Sequence, residues 1–411
     1  MKKLAFAALA AGLLSATAAS ATDLEVTHWW TSGGEAAAVA EFAKAFDNDG
    51  YGDHWVDGAI AGSGGVARPI MISRITGGDP MGATQFNHGR QAEELVQAGL
   101  MRDLTDLANS EHWADVIADK KLLDACTLDG KVYCVPVNIH SWQWIWINRH
   151  VYEDNGLAVP ADWNEFVASA PALREKGIIP LAMGNQPWQS SGAFGVMAVG
   201  IAGVDAWLKV NQDKDASVAA GPEYAKVFEA AANARLLSEG SNVQDWNQAT
   251  NLVITGKAAA QIMGDWAQGE FQVAGPVAGV DYDCLPGLGI NPIVSTDGDA
   301  FYFPNLDDPD QSEAQLRLAH VLFAPDTQVA FNLKKGSMPI RLDVDLNAAN
   351  ACMKKGIELL QAGKILPSGN QLLSPDTQGQ IEDLMTEFWS STDLSAADAQ
   401  ARYAEIIANA D

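Results

Sequence analysis

Apolar and polar residues change their period several times along the first hundred residues. Leu24–Trp30 alternates apolar and polar side chains, which predicts a strand, and Glu35–Phe46 places its apolar residues at helical spacing. Val66–Ile75 predicts a second helix, Ala83–Asn87 a short strand, and Arg90–Ala98 a further helix. This order of strand and helix predicts an α/β fold with a mostly parallel sheet.

The middle of the chain continues the same kind of pattern. Lys131–Pro136 and His140–Ile147 are predicted strands, and Asp162 is the predicted start of a helix. Ile178–Ala182 and Ala258–Met263 are short apolar runs of strand length. A chain of 411 residues, 48% of them hydrophobic, is too long for one core and predicts two domains. No low-complexity linker separates them, so we expect several short crossings between the domains.

Residues 1–21 have the pattern of a secretory signal peptide. Lys2 and Lys3 precede an apolar run from Leu4 to Leu14, and Ala19-Ser20-Ala21 fits a cleavage site. The run is too short for a membrane span of about 20 residues. No Cys lies near the cleavage point, so the sequence predicts an exported protein without a lipid anchor.

The chain is strongly acidic, with a formal net charge of −26. The electric field of so large a negative charge repels nucleic acid and anionic membrane surfaces, so neither is a predicted partner. A cationic ligand and a solvated acidic surface are both open interpretations. The acidic residues are scattered rather than clustered, which favours the solvated surface.

Four cysteines in an exported chain indicate disulfide bonds. Cys126 and Cys134 flank Asp129-Gly130, a hairpin turn signal that places the two cysteines opposite each other. Cys284 and Cys352 then pair by elimination, although three connectivities are formally possible. No histidine stands at ligand spacing beside them, so neither a metal site nor a cofactor is predicted.

Catalytic signatures are missing from the sequence, but tryptophan is abundant. There is no G-x-S-x-G, H-E-x-x-H, Walker A or strand-following G-x-G-x-x-G motif. The 13 tryptophans often have polar neighbours, and indole faces pack on the apolar C–H faces of sugars while carboxylates and amides bind their hydroxyls. The candidate residues of this kind are Trp29, Trp30, Glu35, Gln85, Asn87, His140, Trp142, Asp265 and Trp266. Core packing is the competing interpretation for each of them.

Several ordered segments resemble the extracellular solute-binding proteins of ABC sugar importers. The segments are Leu24–Trp30, Asp103–Leu107, Asp162–Ala182 and Gly256–Trp266. Trp29-Trp30, the four cysteines and Lys335–Arg341 are similar to the glucose- and mannose-binding subgroup. The resemblance covers the whole chain and rests on the order of the segments, since each one alone is weak.

The resemblance implies a two-lobed periplasmic-binding-protein fold of type II-like class with a hinged cleft. One lobe is expected to comprise residues 22–135 and about 296–345, and the other about 136–295 and 346–411. The resemblance also implies a monomer that is located in the periplasm and delivers a sugar, glucose above all, to an ABC permease. It adds Asp299 and Lys335 to the expected ligand-binding residues.

Relatives of this subgroup often carry a histidine where this chain has Asn370 and Gln371, and either residue is a possible substitute. A secreted carbohydrate-active enzyme, which needs two placed carboxylates, is one alternative function. A binding protein for another neutral solute is a second alternative. The sequence does not distinguish glucose from mannose, galactose, xylose or a disaccharide.

Overall fold

The computed structural model describes residues 21–411. The predicted signal peptide therefore lies outside the described residues, except for Ala21. The strands are β1 (Asp23–His28), β2 (His54–Ala59), β3 (Ala83–Asn87), β4 (Thr127–Leu128), β5 (Lys131–Val132), β6 (Cys134–Pro136), β7 (Trp144–Asn148), β8 (Ile179–Ala182), β9 (Ala258–Ile262), β10 (Tyr282–Pro286), β11 (Val294–Ser295), β12 (Asp299–Tyr302) and β13 (Ile365–Leu366).

The helices of the first half are α1 (Gly33–Asp47), α2 (Ser63–Thr76), α3 (Glu93–Gln97), α4 (Thr105–Ser110), α5 (Trp113–Val116), α6 (Lys120–Asp124), α7 (Arg149–Glu153), α8 (Trp163–Glu175), α9 (Pro187–Met197) and α10 (Val204–Asn211). Those of the second half are α11 (Ala216–Ala219), α12 (Pro222–Leu237), α13 (Trp246–Ile254), α14 (Ala267–Ala274), α15 (Pro309–Phe323), α16 (Pro325–Lys335), α17 (Ala351–Gln361), α18 (Gly369–Leu372), α19 (Pro375–Ser390) and α20 (Ala396–Ala408). None of the helices within residues 21–411 is long and apolar enough to span a membrane.

Two mixed sheets organise the molecule. The five-stranded sheet has the order β2-β1-β3-β12-β6, and the four-stranded sheet has the order β10-β7-β9-β8. In the first sheet β1 pairs parallel with β2 and β3, whereas β12 runs antiparallel to β3 and β6. Since β6 and β3 are both antiparallel to β12, they run in the same direction, and only β12 is reversed among the five strands. The expectation of a mostly parallel sheet is therefore confirmed for this sheet.

The apolar residues of the two sheets belong to two buried clusters. One cluster surrounds the five-stranded sheet and includes Trp30, Trp144 and Trp146, all at most 1% exposed. The other packs the four-stranded sheet against α8, α9, α12, α19 and α20. Both clusters confirm an α/β fold with more than one core. The residue limits of the two lobes stay a prediction.

The segment between β6 and β7 crosses from one sheet to the other. The predicted strand His140–Ile147 is only partly right, because regular pairing in β7 begins at Trp144. The backbone N–H of Ser141 donates to Oδ2 of Asp265 at 2.9 Å, and that of Trp142 donates to Oγ of Ser295 at 3.2 Å. Side chains thus take the place of a neighbouring strand and hold the crossing in an irregular shape.

Both predicted disulfides are present. Cys126 is bonded to Cys134 and Cys284 to Cys352, with Cα atoms 5.1 Å and 6.0 Å apart. Asp129 and Gly130 have φ angles of 50° and 78°, which are the positive values that a tight hairpin between β4 and β5 requires. The turn signal in the sequence is therefore confirmed.

Candidate functional site

A cavity of about 260 Å³ is lined by residues from elements of both sheets. Its volume lies just below the usual range of about 300–1,000 Å³ for small-molecule pockets. Nine of the eleven predicted binding residues line it: Trp29, Trp30, Glu35, Asn87, His140, Trp142, Trp266, Asp299 and Lys335. The structure thus brings together residues that are up to 306 positions apart in the sequence.

Gln85 and Asp265 do not line the cavity, so the expectation that they contact a ligand directly is not supported by their placement. Gln85 is fully buried; its Oε1 accepts from the backbone N–H of Trp29 at 3.0 Å, and its Nε2 donates to Oδ1 of Asp299 at 2.8 Å. Asp265 holds the backbone of Ser141, as described above. Both residues position the wall rather than form it.

One part of the wall, the lysine side, consists of Lys335, Glu35, Trp30 and Trp266. Nζ of Lys335 lies 2.8 Å from Oε1 of Glu35, and both side chains are buried. The ammonium group also lies 5.9 Å and 5.7 Å from the ring centroids of Trp30 and Trp266. A buried charge needs a partner, and each of these two charges has one.

The secondary structure explains why this ion pair forms. Glu35 lies in the first turn of α1, where the helix dipole favours a carboxylate, and Lys335 is the last residue of α16, where it favours a cation. Ser32 caps α1 by accepting from the N–H of Glu35, and its hydroxyl donates to Oε2 of Glu35 at 3.1 Å. The carboxylate is therefore held by groups on both oxygens before any ligand arrives.

Three glycines bring the elements of the lysine side close together. A Cβ on Gly34 of α1 would lie 2.4 Å from the carbonyl carbon of Gly269 on α14, so only glycine fits there. Gly336 ends α16 with a φ of 89°, and a Cβ there would lie 2.6 Å from Cβ of Gln268. Because α1, α14 and α16 meet without side chains between them, Glu35, Trp266 and Lys335 reach the same place.

His140 lies between two carboxylates. Its Nε2 is 3.5 Å from Oδ2 of Asp297 and its Nδ1 is 3.3 Å from Oδ2 of Asp299. Burial alone would lower the pKa of His140, but the charges of Asp299 and Asp297 outweigh burial and raise it to about 10. In the same way burial opposes ionisation of Asp299, whereas His140, Lys335 and Asn138 lower its pKa well below the ordinary range. The two shifts favour a cationic His140 and an anionic Asp299 at neutral pH.

Asn370, one of the two proposed substitutes for the missing histidine, lines the cavity, whereas Gln371 does not. Nδ2 of Asn370 donates to Oδ2 of Asp297 at 2.8 Å, and its Oδ1 accepts from Gln91 at 3.3 Å. Gln371 instead donates to the backbone carbonyl of Thr296 at 2.8 Å. Of the two residues, Asn370 therefore has the position from which a ligand can be reached.

Aromatic rings cover a large part of the remaining wall. Trp142 meets Trp266 edge to face at 4.9 Å and Trp188 at 5.5 Å between ring centroids, and His140 lies 5.0 Å from Trp266. Gly192 on α9 leaves room for this arrangement, since a Cβ there would lie 2.3 Å from the ring of Trp142. Indole faces and charged groups are thus combined around one small volume, which suits an uncharged ligand that has both apolar faces and hydrogen-bonding groups.

Another part of the wall, the arginine side, was not predicted from the sequence. It consists of Arg68 on α2 and of Glu382, Gln378 and Asn211 on α19 and α10. A single arginine in an amphipathic helix is typical of a solvated surface, so the sequence carried no signal for it. Arg68 lies beside Trp29, with its guanidinium carbon 6.0 Å from the ring centroid.

Comparisons with known proteins agree with this architecture. Residues 30–298 match the family described as bacterial extracellular solute-binding protein. A protein of Rhizobium meliloti named probable sugar-binding periplasmic protein is 36% identical over 354 residues, or 85% of this chain and 84% of that protein. A protein of the same name from Brucella melitensis is 35% identical over 85% of this chain and 82% of its own length.

Among solved structures, the bacterial solute receptor AcbH, described as preferring β-D-galactopyranose, superposes with a TM-score of 0.77 at 17% identity. The superposition covers 94% of this chain and 98% of the receptor, and at this identity it shows a common fold. The family match covers more than half of the chain and the relatives more than four fifths of it. This chain therefore belongs to the family of bacterial extracellular solute-binding proteins.

Proposed function

We propose that this protein captures a sugar, with glucose or a close relative in first place, and delivers it in the periplasm to the membrane subunits of an ABC importer. The observation that carries the proposal is the lysine side, where the Lys335–Glu35 ion pair lies between Trp30 and Trp266. Relatives at 35–36% identity are named sugar-binding periplasmic proteins, which supports the ligand class.

The chemistry of a pyranose ring matches this wall. Its apolar C–H faces pack on Trp266 and Trp142, and its hydroxyls donate to Asp299 and Glu35 and accept from Lys335. Hydrogen bonds to charged groups are about twice as strong as those between neutral groups. Because these charges are already paired within the protein, little reorganisation opposes binding.

Transport requires that the ligand enters and leaves, so we infer that the two predicted lobes open about the crossings. Gln186 at the start of α9 donates to Oγ of Ser63 on α2 at 3.1 Å, and Arg90 forms an ion pair with Asp411 at 3.6 Å. These pairs join segments expected in different lobes, and opening would break them. A bound sugar stabilises the closed form, which a permease then recognises.

Members of a solute-binding family bind rather than transform their ligands, so the enzymatic alternative falls away. The proposed function is tested by titration calorimetry of the protein with glucose, mannose, galactose and xylose. We expect saturable binding of at least one of these sugars. Trp266→Ala is expected to weaken binding about tenfold or more, because the loss of a buried aromatic anchor typically costs about 2 kcal/mol and tenfold corresponds to about 1.4 kcal/mol.

The matched control is Trp389→Phe, which changes a partly buried tryptophan on α19 outside the cavity and is expected to leave affinity unchanged. If none of the four sugars and no disaccharide releases or absorbs binding heat, the sugar assignment is wrong. A different neutral solute would then be sought with the same protein.

A further inference from the structure

Arg68 and Glu382 line the cavity without a hydrogen bond or ion pair of their side chains to any residue within 21–411. This is unusual in this protein, since the other charged side chains of the cavity wall are paired with one another. Arg68 lies on α2, which packs in the core of the five-stranded sheet, and Glu382 on α19, which packs in the other core. The two charges thus approach the cavity from opposite cores.

The two groups influence each other although they do not touch. Burial lowers the pKa of the Arg68 guanidinium, and the charges of Glu382 and Asp297 act in the opposite direction. Burial raises the pKa of the Glu382 carboxyl, and the charge of Arg68 opposes that rise. Both charged groups line the same cavity and neither is bonded to another side chain, so a ligand between them can form hydrogen bonds with both.

We propose that the space between Arg68 and Glu382 is a subsite for a second hydroxylated ring, so that the cavity also accepts a neutral disaccharide or glycoside whose first ring is the sugar held on the lysine side. This proposal rests on the proposed function. The first ring occupies the lysine side. Two hydroxyls of the second ring accept hydrogen bonds from the guanidinium N–H groups of Arg68 and donate hydrogen bonds to the carboxylate of Glu382.

Charge explains why a neutral group is preferred on the arginine side. An anionic substituent would gain from Arg68 but would face Glu382 and Asp297, and a cationic one would face Arg68. Adjacent hydroxyls are donors and acceptors at once, so they satisfy both protein groups without adding charge. Gln378 and Asn211 extend the same side with further amide groups that bind hydroxyls.

The competing interpretation is a latch, in which Arg68 and Glu382 close on each other across the cleft and only hold the two lobes together. A latch contributes to the affinity for every ligand that closes the cleft. A subsite contributes only to ligands that are long enough to reach it. Comparing short and long sugars therefore separates the two interpretations.

The experiment measures dissociation constants by calorimetry for the full chain and two variants, Arg68→Met and Glu382→Gln, which keep approximate size and remove charge. The ligands are glucose, methyl α- and β-glucoside, maltose, cellobiose and trehalose. The matched controls are Arg74→Met on the same helix, outside the cavity, and Asp383→Asn, the exposed neighbour of Glu382. Thermal unfolding of each variant shows that it is folded.

We expect at least one disaccharide to bind as tightly as glucose or more tightly. Each test variant is expected to weaken that disaccharide about tenfold or more, since hydrogen bonds to charged groups contribute about 1.5–3 kcal/mol, and to change glucose binding less than about threefold. Equal losses for glucose and the disaccharide would identify a latch and overturn the proposal. Glucose binding without any disaccharide binding would also overturn it but leave the proposed function intact, whereas binding of no sugar would contradict both.

Discussion

The lysine side and the arginine side of one cavity are built in opposite ways. On the lysine side Lys335 and Glu35 are buried and in contact at 2.8 Å, and α1, α14 and α16 are fixed against each other by glycines. On the arginine side Arg68 and Glu382 are only partly buried and do not meet. The charged groups of the lysine side are paired without a ligand, whereas those of the arginine side are not.

The difference follows from the cost of burying charge. An unpaired charge removed from water costs several kcal/mol, so fully buried groups such as Lys335 must find partners within the protein. Arg68 and Glu382 retain some solvent, which lets them stay apart until a ligand replaces that water. The paired charges of the lysine side favour one fixed orientation of the first ring. The unpaired charges of the arginine side can bind the rest of the ligand in more than one orientation.

The largest expected effect is that of Lys335→Ala. It leaves Glu35 buried without its cation, so the free energy of unfolding is expected to fall by about 3–5 kcal/mol and sugar affinity by about a hundredfold or more. Urea denaturation and calorimetry measure the two quantities. Lys334→Ala, at the exposed neighbouring position, is the control and should change neither. Similar results for both lysines would mean that the lysine side is not preformed.

A smaller effect is expected from Gly34→Ala, which forces α1 and α14 apart. The added methyl meets the backbone of Gly269, and overpacking of this kind costs about 1–3 kcal/mol of stability. Gly33→Ala is the control, because its nearest new contact lies at an ordinary 3.6 Å. Since the displaced helices carry Glu35 and Trp266, Gly34→Ala should also weaken the binding of short sugars. Unchanged affinity would show that the helix contact does not set the geometry of the site.

A further effect is expected in the pH dependence of stability, through the ionisation of His140. Its pKa is raised to about 10, and an ordinary histidine loses its proton near pH 6.5. The folded protein therefore holds a proton that the unfolded chain has lost between these values. The contribution of His140 to stability is complete below about pH 6.5 and is lost as the pH rises through about 10.

Urea denaturation at several pH values between 6.5 and 10 measures this slope. His140→Gln should flatten it, whereas His54→Gln, at an exposed histidine of β2, should leave it as in the unaltered protein. Equal slopes in all three proteins would mean that His140 is not held as a cation by Asp297 and Asp299.

Local patterns predicted much of the fold. Ala83–Asn87 forms a strand with the predicted limits, and α1 begins two residues before its predicted start because Ser32 caps it. Ile60, just before the glycine-rich turn Ala61–Gly65, predicts only the end of a strand, so most of β2 (His54–Ala59) has no predicted counterpart. That strand is mostly exposed, so it lacks the apolar alternation on which the prediction depends.

The candidate site was predictable where a residue type itself indicates chemistry, as for Trp29-Trp30 and Glu35. The site was not predictable where only the position in the folded chain decides whether a polar residue lines the cavity. Asp265 and Gln85 carry the same polar groups as Asp299 and Asn87, and only the folded chain shows that they bind the backbone of Ser141 and Trp29 rather than line the cavity. Arg68 and Glu382 are 314 positions apart, and only the tertiary structure places both of them in the wall of one cavity.

The cluster of Trp142, Trp188 and Trp266 also has an optical consequence. Indole rings 4.9–6.3 Å apart exchange excitation energy, so their emission and near-ultraviolet circular dichroism depend on their mutual angles. A ligand that packs on one ring tilts or shields it and changes the signal of all three. The cavity therefore contains its own chromophore, by which occupancy can be followed in real time without any attached label.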